Sequence, residues 1–435
     1  MDSRHRSTGL DVLRAVAVLM VLVCHSVAYP KELSALGNAI CLHIKQGGWT
    51  GVDLFFVLSG FLIGGLLFKE QKETGTINIR RFFLRRGFKI YPPFWIFLAF
   101  IISWELWKEL PVTMDDILPD LFFFQNYTPG VWGTNWSLGV EEHFYLLLPL
   151  SLMLLGYFGR NAERPFRHFP WIFAGVALTC LVLRWWNAPS RFSNFTHLTP
   201  THLRIDGLFF GTFLAYHHVY AHESFMAICR RFRWWLLAAG IAGFLPPFFL
   251  LLEFSWYMKV FGFVTQWLGA GALICFALVR SPAPGSSARA LAAIGRTSYT
   301  TYLWHYWIGL YGLKALPGLF GFHWNWPVFT ALYYTTTIGA GFLLTRWIET
   351  PFLRLRDRLV PADSRARHAA PNGRALSSPA SNRVAIPANA PALRSVSTSV
   401  GTSLASHSTA WPCVRCENEP APSLQAPVAH SPQDE

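Results

Sequence analysis

Charge is scarce in this chain of 435 residues: 14% are Asp, Glu, Lys or Arg, against roughly 25% in an ordinary soluble domain. Acidic residues are the scarcer kind, 24 against 37 Lys and Arg, and the seven cysteines are scattered without a framework spacing. Aromatic residues all but vanish at the end, where Trp411 is the single one after Pro361. These shortages exclude a disulfide-stapled secreted domain and an acidic disordered chain. They also exclude a water-soluble fold, because 52% of the residues are hydrophobic and too few charges remain to cover the outside. What is present is the composition of an integral membrane protein.

A bilayer core takes about 20 mostly apolar residues per helix. Ten candidate spans follow along the chain, at 9–29, 47–68, 91–106, 136–156, 170–186, 204–220, 234–252, 260–279, 298–316 and 327–347. The expected fold is therefore all-α, a polytopic transmembrane bundle of about 10 helices occupying 1–360. Sixteen Lys and Arg fall in the alternate loops 69–90, 157–169, 217–233 and 280–297, against five in the opposite loops. That bias predicts both termini in the cytoplasm, and it accounts for the net charge of +13 without a nucleic-acid partner. The first span carries Asp11 and Arg14 and does not read as a cleavable signal peptide. Residues 361–435 read as a disordered cytoplasmic tail, too poor in large apolar residues to offset the entropy of ordering. Its one CxxC, Cys413 and Cys416, is too little for a metal site.

Ionisable residues inside spans are costly, so each is a candidate for function. They are Asp11, Arg14, His25, Asp53, Glu141, Glu142, His143, Arg204, Asp206 and His305. Some of them would do no more than pair with a neighbour or reach for the interface. Arg14 and His25 are eleven residues apart, which returns a helix to within about 20° of its starting direction and separates them by about 16 Å along the axis. One face of the first span thus offers a permanent cation near the cytoplasm and a titratable imidazole deeper in, which suits a long anionic ligand arriving from inside. Asp53, Glu141 and Glu142 fall at a similar depth to His25, roughly 8–10 Å below the outer boundary.

Several stretches together resemble the membrane-bound acyltransferase-3 family, whose members O-acylate sugars and other hydroxyl acceptors. LDVLRAVAVLMVLVCHS carries that family's Arg and His at Arg14 and His25, and GVDLFFVLSGFLI resembles its second-span signature. RRFFLRRGFKIYP resembles its basic stretch, and NWSLGVEEHFYLL its block of Trp136, Glu141, Glu142 and Tyr145. RIDGLFFG, SYTTYLWH and ETPF resemble its later signatures, so the likeness runs over about 9–357. Lys89 stands where Arg is common in the family, and His143 where Gln is usual.

The resemblance implies an acyl-CoA co-substrate, most often acetyl-CoA, with no tightly bound cofactor. It also implies a hydroxyl acceptor on a glycan or glycolipid, and a bacterial inner membrane as the location. On that reading Arg14, Arg85, Arg86 and Lys89 would bind the CoA phosphates. His25 would be the general base, oriented by Asp53 or by Glu141 and Glu142. Trp136, Tyr145, Arg204, Asp206 and His305 are further candidate binding residues; Tyr145, Arg204 or His305 could donate to the oxyanion. A proton-coupled transporter or flippase would use the same buried charges, but it leaves the basic cluster without a purpose.

Overall fold

The computed structural model describes residues 7–26, 34–159, 166–279, 285–316 and 325–361, and among them every regular element is helical. In hydrocarbon no water is available to the backbone, and a helix satisfies its own N–H and C=O groups. The helices that build the bundle are α1 (Thr8–His25), α2 (Ala35–Gly47), α3 (Gly51–Thr74), α4 (Ile79–Trp107), α5 (Met114–Leu121), α6 (Trp136–Phe158) and α7 (Phe169–Asn187). They continue with α8 (Ile205–Tyr220), α9 (His222–Arg231), α10 (Arg233–Phe244), α11 (Pro246–Phe249), α12 (Phe263–Val279), α13 (Ser286–Arg296) and α14 (Ser298–Trp307). The last two are α15 (Trp326–Leu344) and α16 (Thr350–Leu359). The expected disordered tail, with its CxxC, lies outside the described residues.

By length and apolarity seven helical stretches can cross a membrane, and α9 to α11, bent by 78°, make an eighth when taken as one span. The fold class is thus the expected polytopic bundle, while three of the ten expected spans take another form. The 204–220 span is the 16-residue α8, and 298–316 divides between the 10-residue α14 and a π-helical turn at Ile308–Leu313. The 234–252 span belongs to the bent pair.

The centre of the bundle is the contact of α3 with α8. Arg204 meets Asp53, Thr212 donates to the Gly60 carbonyl at 3.2 Å, and Lys72 donates to the Val219 carbonyl at 3.0 Å. Residue numbers rise together on both helices, so they run parallel. They pack this closely because a Cβ at Gly60 would overlap the Leu208 carbonyl, and one at Gly211 the Val57 carbonyl. Small residues let backbones approach where lipid supplies no hydrophobic drive between helices. The turn from α3 to α4 is set locally. Gly75 takes φ +76°, with its N–H on the Gln71 carbonyl at 2.8 Å, and the Asn78 side chain caps Arg81 N–H at 2.9 Å.

The basic segments gather at one end, called the basic side below. Arg14, Arg86 and Arg296 line one cavity, Arg85 reaches Asp357, and Lys72 reaches the end of α8. If that side is cytoplasmic, a fluorescent-protein fusion after Arg296 should be bright, and an alkaline phosphatase fusion within 107–135 should be active. Inactive phosphatase in 107–135 together with activity after Arg296 would reverse the orientation.

Candidate active site

A cavity of about 100 Å³ opens among α1, α3, α4, α6 and α14. Its basic end holds Arg14, Arg86, Lys89 and Arg296, and Tyr302 and Ser137 stand towards the other end. Glu141, Glu142, Tyr145, Tyr299 and Glu349 also line it. At roughly 10–15 Å³ for each water on this measure, the space holds several waters. Neither Arg296 nor Tyr299 stands out in the sequence as a site residue. Glu349 had a signal in the ETPF stretch, and it sits on a π-helical turn, accepting from Thr300 at 3.1 Å.

The paired glutamates face the cations. Glu141 accepts from Ser59 at 3.4 Å and from Tyr145, whose hydroxyl also meets Ser59 at 2.7 Å. Glu142 accepts from Tyr91 at 3.1 Å, and the Arg86 guanidinium lies over the Tyr145 ring, 4.3 Å from its centroid. Tyr299 donates to the Ile90 carbonyl at 2.8 Å.

His25, at the end of α1, stands against α14. Its ring is 5.0 Å from that of His305 and 5.1 Å from that of Tyr306. Nδ1 of the fully buried His305 is 2.5 Å from the Tyr302 carbonyl. A carbonyl can only accept, so the proton is on Nδ1 and the lone pair of the neutral ring on Nε2. That Nε2 is buried and has no protein partner among the described residues. Tyr302, which donates to the Thr134 carbonyl at 2.8 Å, joins this histidine pair to the cavity.

The other expected site residues are engaged elsewhere. Asp53, expected to orient His25, instead accepts from Arg204 at 2.7 Å. Arg204 also donates to the Leu198 carbonyl at 2.8 Å and packs against the rings of Phe263, Trp136 and Phe56. Trp136 is thus a wall for Arg204. Asp206 accepts from Arg184 at 2.5 Å and from Trp267 at 3.1 Å. Arg85 points away from the cavity, onto Asp357 at 3.0 Å and the Val360 carbonyl, and Arg81 pairs with Glu70 at 2.6 Å. His143 bonds Thr201 at 2.6 Å on the opposite face of α6. Arg85→Ala and Asp357→Ala should therefore each lower thermal stability, with donor KM changed less than threefold. Arg86→Ala should raise donor KM tenfold or more. Equal KM effects at 85 and 86 would contradict this division.

The 114–135 segment covers the histidine pair. Asp120, fully buried, accepts from the Trp132 N–H at 3.4 Å, and the Trp132 ring packs on Tyr306 at 5.7 Å. Burial pushes the Asp120 carboxyl up to about 7. A folded-state value raised above the unfolded one means that folding holds a proton the unfolded chain releases. The protonated group's favour is present at low pH and is lost as pH rises from about 4 to about 7. The melting temperature of Asp120→Asn relative to the parent should accordingly climb across that window. A constant difference from pH 4 to 7 would show that the carboxyl is ionised throughout.

With this geometry in view, comparison with known proteins gives one consistent answer. The model of the acyltransferase domain family matches residues 7–346. The chain is 28% identical over 322 residues to the O-acetyltransferase OatA of Staphylococcus aureus, covering 68% of this chain and 50% of that protein. It is 27% identical over 390 residues to the acyltransferase MdmB of Streptomyces mycarofaciens, covering 82% of this chain and 94% of that one. The chain thus spans half the length of the Staphylococcus relatives. No solved structure matches. The family match extends over α1 to α15 and takes in both histidines and the cavity residues other than Glu349, and the chain belongs to the acyltransferase-3 family.

Proposed function

We propose that the protein transfers an acyl group, acetyl in the simplest case, from acyl-CoA on the cytoplasmic side of a bacterial inner membrane to a hydroxyl of a glycan or glycolipid. The observation that carries this is a cavity with a basic mouth that is lined at its other end by Tyr302, whose carbonyl holds His305 beside His25. Its relatives are named as acyltransferases, OatA as an O-acetyltransferase. Arg14, Arg86, Lys89 and Arg296 suit the phosphates of CoA, Arg by its bidentate fork and Lys as a point charge. Glu141 and Glu142 lie in electrostatic reach of Arg86. They would hold that cation in place and accept N–H groups of the pantetheine arm.

His25 takes the proton of the acceptor hydroxyl as its oxygen attacks the thioester carbonyl. The tetrahedral intermediate collapses by breaking the C–S bond, and the CoA thiolate leaves with the proton from the imidazolium. His305, bare at Nε2, is close enough to steady His25 through the cycle. With Asp53 committed to Arg204, no role beside His25 is assigned to it.

The two ends of α1 should fail differently. Arg14→Ala removes a contact made in ground and transition states alike and should mainly raise KM for acetyl-CoA, with Arg14→Lys recovering part. His25→Asn should lower kcat by roughly 10²–10⁴-fold while acetyl-CoA still binds the detergent-purified protein. Lost donor binding in His25→Asn with intact binding in Arg14→Ala would reverse the two roles.

A further inference from the structure

On the face of α6 that carries His143, a second space opens towards the lipid. α6 and α7 both pack on α8, and the groove between them measures about 920 Å³. Ligand pockets commonly fall between roughly 300 and 1,000 Å³. Leu146 and Leu147 of α6 form one wall and Trp171, Val176 and Leu183 of α7 the other. Leu146 is 52% exposed and Trp171 75%, so the groove is open along its side to the bilayer. Gly175 lies within it, and a Cβ there would meet nothing within 4 Å.

One end of this apolar groove is polar, and it is the end away from the basic side. His143, Thr201, His202 and Tyr127 stand there. His143 uses Nδ1 on Thr201, and its Nε2 is buried without a partner among the described residues. The Tyr127 hydroxyl meets His202 Nδ1 at 3.2 Å, and burial holds the His202 imidazole below its usual range, hence neutral. Among the described residues no Lys or Arg lines the groove. Neutral donors and acceptors suit sugar hydroxyls, whereas a phosphate would meet no cation among these lining residues.

The polar end also leads back to the reaction centre. Thr201 accepts from Asn126 at 2.8 Å, the adjacent Gln125 donates to the Asn135 carbonyl at 3.2 Å, and the neighbouring Thr134 carbonyl accepts from Tyr302. Tyr302 in turn holds His305. This band of polar side chains crosses the first turn of α6, whose diameter of about 10 Å separates the groove from the cavity.

We propose that the groove between α6 and α7 seats the hydrocarbon chain of a lipid-linked glycoside, the acceptor, with its neutral head at His143 and His202. The assignment rests on the O-acyltransfer reading above and specifies its acceptor as membrane-anchored.

The test uses the full chain in lipid nanodiscs containing a photoreactive alkyl glucoside with a diazirine in its tail, or a phosphatidylglycerol with the same tail at equal mole fraction. After illumination, mass spectrometry should place the glucoside label on 143–147 and 171–183, at least tenfold above the phospholipid label. Gly175→Phe should reduce it tenfold or more in protein that remains monodisperse, while Gly175→Ala retains it. Should the Phe variant aggregate, excess unreactive dodecyl glucoside must abolish the label in the parent. Equal labelling by the two lipids, label elsewhere, or label untouched by both the Phe side chain and the competitor each overturns the proposal. Labelling needs no acyl-CoA, so a failed transfer assay and a failed groove remain distinguishable.

Discussion

The ion pair between Arg204 and Asp53 joins α8 to α3 at 2.7 Å, with both side chains almost wholly buried. Removing one member of a buried pair costs about 3–5 kcal/mol, because the survivor is left as an uncompensated charge. Neither helix can slide by a turn without incurring that cost, and the missing Cβ atoms of Gly60 and Gly211 allow only the matching register. A second buried pair, Arg184 with Asp206, fixes α7 to the same helix α8. With α3 held on this side, its Val52, Phe55 and Ser59 are presented to the cavity on the other.

The same accounting of charge divides the basic stretch at the start of α4. Arg81 pairs with Glu70, and Arg85 shares Asp357 with Arg356, so both brace the helix, and Arg86 and Lys89 are the ones that reach the cavity. Helical spacing does not make this distinction. Lys89 lies about 40° from Arg85 and about 60° from Arg86 around the axis, so a wheel would group the first two. The division follows from α16, which brings Asp357 and the Val360 carbonyl to Arg85. Sequence separation of about 270 residues hides that partnership.

Glu141, Glu142 and His143 show how one turn of α6 serves two surroundings. Successive residues on a helix point about 100° apart. The glutamates therefore turn to the cavity and the imidazole to Thr201 and the lipid-facing groove. Equal depth in the membrane, which grouped Asp53, the glutamates and His25 in the sequence, is a weaker constraint than direction around each helix. Groups at one level are separated by the helices that carry them.

Composition and local periodicity were sufficient for much of this protein. Too few charges for too much apolar surface required a membrane, and the ordered stretches from LDVLRAV to ETPF carried the family. The shared direction of Arg14 and His25 belongs to a single helix, and it holds wherever that helix packs. Tertiary structure alone decided which carboxylate meets which cation. It decided that His25 stands beside His305, and that a 16-residue helix too short by length alone runs parallel to α3. It also opened one space beside Arg14 and another beside Gly175. Partner choice between helices depends on packing that brings together residues more than a hundred positions apart, and no period along the chain encodes it.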